Sequence, residues 1–75
     1  MTLTELPEKK KAVIRSLESN ALRGRLLEIG FYPNQIVETI GISLFGDPIA
    51  VKVGSSTVML RKAEAENILV EPSEE

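Results

Sequence analysis

Hydrophobic and polar positions alternate most regularly in the second half of the chain. Ile49, Val51 and Val53 are interleaved with Ala50 and Lys52, a period-two pattern that predicts a half-buried strand. Gly54-Ser55-Ser56 reads as a short turn, and Thr57-Val58-Met59-Leu60 opens another strand. Arg61 to Glu66 suits a single helical turn, and Ile68-Leu69-Val70 predicts a closing strand. Connections this short leave hardly a spare residue.

The first half is less regular. Leu3-Thr4-Glu5-Leu6-Pro7 suits one turn, with Thr4 accepting backbone hydrogen bonds, Leu3 and Leu6 pointing inward, and Pro7 pushing Leu6 to extended geometry. Lys9-Lys10-Lys11 is the one like-charge run of lysines. It fits three lysines entering an edge strand, where they discourage pairing with another chain, better than a phosphate-binding patch. Ala12 to Leu17 is the first strand. A helix is predicted from about Ala21 to Ile29, with Asn20 as its N-cap and Leu22, Leu26 and Ile29 on one face, Leu27 at the margin. Gly30 supplies the left-handed C-terminal residue. Gly24 lies inside this helix at a cost of about 1 kcal/mol relative to Ala. Close approach to a strand and simple tolerance both fit it. Phe31-Tyr32-Pro33-Asn34 turns the chain out of the helix, with Asn34 suited to a positive φ at the third position of a type II turn. Gln35 to about Ile42 is the next strand. The tail from Pro72 to Glu75 reads as polar, acidic and disordered.

The order is strand, helix, then four strands interrupted by one helical turn. It predicts an all-β, barrel-like single domain with one short helix and a core spanning residues 3–71. At 75 residues such a domain sits near the lower limit for folding without staples. The 43% hydrophobic content is then committed to the core, with little left over to line a ligand cavity.

Charge and residue types narrow the chemistry. Nine Lys and Arg against eleven Asp and Glu give a net charge of −2, no reason to expect nucleic acid as the main partner. No apolar run approaches the roughly 20 residues of a membrane span, and a cytoplasmic domain is the expectation. With no His and no Cys, the usual general base, the best nucleophile and the ordinary zinc, copper or iron–sulfur ligands are missing. Asp47, between Gly46 and Pro48, is accounted for by turn-making. Glu64 and Glu66 fall on different sides of a helical turn and make no acid–base pair. Ser55-Ser56-Thr57 has hydroxyls but no base nearby in sequence, and no phosphate-cradling glycine motif is present. The acids are scattered, apart from Glu74-Glu75, so no calcium- or magnesium-type cluster is expected. No catalytic, cofactor or metal residue is assigned, and the chain is not expected to be an enzyme.

Recognition by surface remains. Leu44 and Phe45 are bulky apolar residues in a connection that should be polar, and Phe31-Tyr32 is a second such pair. Either the rings cap the open ends of the barrel or Leu44-Phe45 forms an exposed tip for a partner or for weak self-association. Arg23, Arg25 and Glu28 face outward from the helix, as solvated charges or as a stripe for a partner. Leu44, Phe45, Arg23 and Arg25 are therefore the candidate partner-binding residues.

Three segments resemble the FeoA family, ferrous iron transport protein A: Arg25 to Pro33, Gly46 to Val51, and Leu60 to Val70. In this order and spacing they cover nearly the whole chain. Two positions depart from the family pattern: Asn34 stands where Gly usually follows the proline, and Glu8 where a Gly often stands near the N-terminal proline. The resemblance implies a small SH3-like barrel of about five strands. It also implies a cytoplasmic accessory of ferrous iron uptake acting on a membrane protein of the FeoB type, which carries a GTP-binding domain. Family-level transition-metal binding comes with the resemblance but maps onto no residue here. The other readings are a nucleic-acid-binding SH3-like module and a carboxylate-based ferrous-ion carrier.

Overall fold

The structure, a computed structural model, describes residues 1–73. A single 3₁₀ turn, Leu3–Glu5, precedes β1 (Lys11–Leu17), α1 (Asn20–Glu28), β2 (Ile36–Ile42), β3 (Ile49–Val53), β4 (Ser56–Leu60), α2 (Lys62–Ala65) and β5 (Ile68–Pro72). The five strands form one antiparallel sheet in the order β4-β3-β2-β1-β5. The sheet curls around a core that includes Leu3, Ile14, Leu26, Phe31, Val37, Val51, Leu60 and Ile68. Its curvature has a local cause. Arg15 is an extra residue in β1 opposite β5, and Ile40 is an extra residue in β2 opposite β3. Such bulges bend a strand and increase its twist. β4 and β5 are not neighbours in the sheet, so the barrel is open between them.

The helix ends in a complete Schellman motif. Phe31 N donates to Leu26 O at 2.9 Å, Gly30 N donates to Leu27 O at 3.1 Å, and Gly30 has φ 109°. Phe31 and Leu26, the pair that accompanies this motif, are both fully buried. The chain then turns through Pro33 and Asn34, with Asn34 at φ 74° and Gln35 N donating to Tyr32 O at 3.1 Å. That is the turn expected from the sequence. Gly54 has φ 60° while Ser55 does not share a positive φ, the type II′ pattern of a two-residue hairpin between β3 and β4.

Several expectations need correction. Ser19, not Asn20, caps α1: its hydroxyl accepts from Leu22 N at 3.2 Å, and the helix begins and ends one residue earlier than anticipated. Just before the cap, Glu18 N donates to Asn67 O beside the start of β5, and Ser19 is extended, as an N-cap residue is. At the N-terminal turn Thr4 does not accept from the backbone. Its hydroxyl pairs with that of Thr2, and Glu5 accepts from Thr2 N at 2.7 Å. The lysine run does not lead into an edge strand, because β1 is paired on both sides; Lys9 instead takes φ 68° and donates through its amide to Thr39 O. Pro72 is paired with Ala12 and Ser73 N donates to Lys11 O, so the sheet reaches into the expected tail. Glu74 and Glu75 lie outside the described residues. Gly24 is exposed and a Cβ there would meet nothing within 4 Å, so close packing does not account for it.

Candidate functional site

The connection from β2 to β3 is a tight turn whose two central residues are Leu44 and Phe45. Gly46 N donates to Ser43 O at 2.9 Å, closing a four-residue turn with Ser first and Gly last, the positions where those residues are favoured. Ser43 N donates to Pro48 O at 3.2 Å, and the Asp47–Pro48 peptide is cis. The central positions of a turn point away from the strands it joins. Leu44 is accordingly 92% and Phe45 90% exposed. Neither caps the barrel. Phe31, by contrast, is completely buried, while Tyr32 stays half exposed.

Asp47 does more than make a turn. Its Oδ1 accepts from Lys62 N at 3.0 Å, satisfying one of the orphan amides at the start of α2, and lies 4.0 Å from Arg61 Nη1. The donor and acceptor are fifteen residues apart, so this cap has no local sequence signature. α2 is also tied to α1. Glu64 Oε1 accepts from Arg61 N at 3.0 Å, and Glu64 Oε2 pairs with Arg25 Nε at 3.1 Å. Arg25 is thereby linked through α2 to the root of the Leu44–Phe45 turn.

Arg23 is not brought to the same place. It donates from Nη2 to Leu17 O at 2.9 Å and borders a shallow cleft of about 350 Å³ with Arg15, Leu27 and Pro33. Two residues along a helix place side chains on nearly opposite sides, so Arg23 and Arg25 serve different neighbours. Of the four candidate partner-binding residues, Leu44, Phe45 and Arg25 form one connected region and Arg23 stands apart.

Further exposed apolar residues accompany the turn. Ile42 at its root and Ile40 at the bulge are exposed. Met59, also exposed, lies on β4 in the cross-strand row Gly41–Ala50–Met59. Met59 was legible from the alternation of Thr57 and Met59 with Val58 and Leu60. The exposure of Ile40 follows the same alternation, opposite to buried Val37 and Thr39; what the bulge changes is the register beyond it, pairing Gly41 with Ala50 and Ile42 with Ile49. Among the described residues no three His, Cys, Asp or Glu side chains gather as a metal site would require. No helix among them is long and apolar enough to cross a membrane.

Comparison with known proteins places these features. A curated protein of Campylobacter jejuni, provisionally named Fe(2+) transport protein A, is 41% identical over 71 residues, covering 93% of this chain and 96% of its own length. The iron(II) transport protein A of Clostridium thermocellum superposes with a TM-score of 0.90 at 38% identity; the match covers 96% of this chain but only 45% of that one. The FeoA of Stenotrophomonas maltophilia, an SH3-domain protein solved in complex with zinc, gives a TM-score of 0.85 at 34% identity, covering 95% of this chain and 89% of that one. The fold is thus the SH3-like one. The FeoA domain family matches residues 1–72, and the chain belongs to the FeoA family, which is associated with ferrous iron transport.

Proposed function

We propose that this chain is a non-catalytic accessory of ferrous iron uptake that docks on the cytoplasmic GTP-binding domain of a FeoB-type transporter. The observation that carries this reading is the Leu44–Phe45 tip: two large apolar side chains held almost fully in solvent by a turn whose root is bonded to α2. A turn whose backbone is already closed by hydrogen bonds needs little further backbone ordering when a partner covers its tip, and buried aromatic anchors often dominate protein interfaces. Arg25, ion-paired with Glu64 on the same helix α2 that Asp47 caps, is the charge we assign to the rim, where a charge contributes to partner choice and association rate more than to affinity. The S. maltophilia relative is described as a candidate activating factor for ferrous iron transport, a role of the same kind. Fold alone would not support this step, since SH3-like barrels serve many functions.

The test is titration of the purified chain against the transporter's cytoplasmic domain by calorimetry, with no nucleotide, with GDP and with a non-hydrolysable GTP analogue. Saturable binding in at least one state, weakened tenfold or more in Phe45→Ser (about 1.4 kcal/mol), is the expected result. Absence of binding in every state, with the intact membrane-embedded transporter also tried, refutes it.

A further inference from the structure

The two edges of the sheet are treated differently. At β5 the outer side is covered: Thr2 bridges to Leu69, and Val70 N donates to Met1 O at 2.8 Å. The strand then ends in Glu71 and Pro72, a charge and a residue with no amide hydrogen. Covering, charge and proline are the usual means by which a sheet edge avoids pairing with another chain. β4 has none of them. Ser56-Thr57-Val58-Met59-Leu60 contains no charge, proline or glycine and pairs with β3 in five consecutive registers without a bulge. Among the described residues its backbone makes no hydrogen bond outside that pairing.

We infer that β4 is a self-association edge, which pairs antiparallel with β4 of a second copy about Val58. The pairing does not rest on the transporter reading, because it uses the free side of β4 and no residue of the Leu44–Phe45 turn. The register places Val58 opposite Val58, Thr57 opposite Met59, and Ser56 opposite Leu60. The rows across the sheet then run on without a charge meeting a like charge. Thr39–Val51–Val58 continues into its own symmetry mate, and Gly41–Ala50–Met59 continues into Thr57–Lys52–Glu38 of the second copy.

Charge also selects the direction. Arg61 and Lys62 follow the Leu60 end of β4, whereas Gly54 and Ser55 precede the Ser56 end. Antiparallel pairing sets the basic end of one copy beside the neutral turn of the other; parallel pairing would set Arg61 beside Arg61. The area places the contact in the weak class. A five-residue ladder is about 17 Å long. With Met59, 60% exposed, as its largest exposed side chain, the interface falls short of the roughly 1,000 Å² of a stable complex. The dimer is therefore expected to be weak and transient, populated only at high protein concentration.

Sedimentation velocity on the full chain at rising concentration tests this, together with two double variants that keep the same exposed positions. Thr57→Lys with Met59→Lys sets lysine against lysine at both ends of the two-fold ladder, and association should weaken about tenfold or more. Thr57→Lys with Met59→Glu sets opposite charges in the same places, and association should return to within about threefold of the original. A chain that stays monomeric to about 1 mM, or a dimer indifferent to both double variants, overturns the inference. Should the lysine pair prevent folding, the absence of native cysteine allows a spin label at Ser55→Cys. Mixed with isotope-labelled chain, it should broaden the Arg61 and Lys62 amides of the second copy, and intact amide signals there overturn the inference equally.

Discussion

Phe31 and Phe45 are chemically identical and should respond oppositely to truncation. Phe45→Ser removes a ring that is 90% exposed, so no more than about a tenth of its burial is at stake. Full burial of a Phe side chain contributes about 1.5–3 kcal/mol, and a tenth of that is about 0.2–0.3 kcal/mol. For a domain of this size 1 kcal/mol moves Tm by about 4–8 °C, so Phe45→Ser should shift it by about 2 °C at most. Phe31→Ala removes a fully buried ring that also fills the apolar contact of the Schellman motif at the end of α1. Such truncations cost about 3–5 kcal/mol. A 75-residue domain has a total stability of about 4–11 kcal/mol, so Phe31→Ala should take about a quarter of it or more, and at the low end of that range unfold the protein. Urea unfolding followed by far-ultraviolet circular dichroism, with thermal scans on the same variants, measures both. A loss above about 1 kcal/mol for Phe45→Ser would show that the tip packs on the domain, and the reasoning that reserves it for a partner would fail.

Three other substitutions have worked expectations. Thr39 is 1% exposed, lies opposite Val51, and has a hydroxyl with no hydrogen-bond partner, so Thr39→Val should stabilise the fold by about 1–2 kcal/mol in urea titrations. A loss of stability would mean that the hydroxyl is satisfied. Gly24→Ala meets open space on an exposed helix face and should raise stability by about 0.8–1 kcal/mol, read as a higher urea midpoint at an unchanged slope. Asp47→Ala removes the cap on Lys62 N and should cost about 0.5–2 kcal/mol, with faster hydrogen exchange in α2; the 4.0 Å contact to Arg61, largely exposed, adds little. Unchanged exchange in α2 would assign the loss to the turn itself.

The parts of this fold that were legible in the sequence are those with local causes. Period-two alternation located β3, and the Gly54-Ser55-Ser56 turn after it marked the start of β4. Gly30 and Asn34 marked positions of positive φ, and the absence of His and Cys removes the commonest catalytic groups and transition-metal ligands from the sequence alone. The candidate surface was half legible. An apolar pair at a turn stood out in the sequence, but a turn residue can fold back as readily as point outward. The exposure of Leu44 and Phe45 therefore depended on the hydrogen bonds that close the turn. The cap at α1 was misplaced by one residue because Ser19 and Asn20 are both favoured N-cap residues, and the bond from Leu22 N to the Ser19 hydroxyl selects Ser19.

The sequence by itself determined the kind of molecule: a small, cysteine-free, mostly β domain with a short helix, whose three matching segments carry its family. It did so because alternation, turn residues and composition act over a few neighbouring positions. Tertiary structure alone decided which strands are edges, and so whether the lysine run guards one. It also decided that Arg15 and Ile40 bulge, that Asp47 reaches across to cap α2, and that Arg25 joins the Leu44–Phe45 region while Arg23 does not. Each of those depends on strand order and on contacts between residues distant in the chain, which no local pattern encodes.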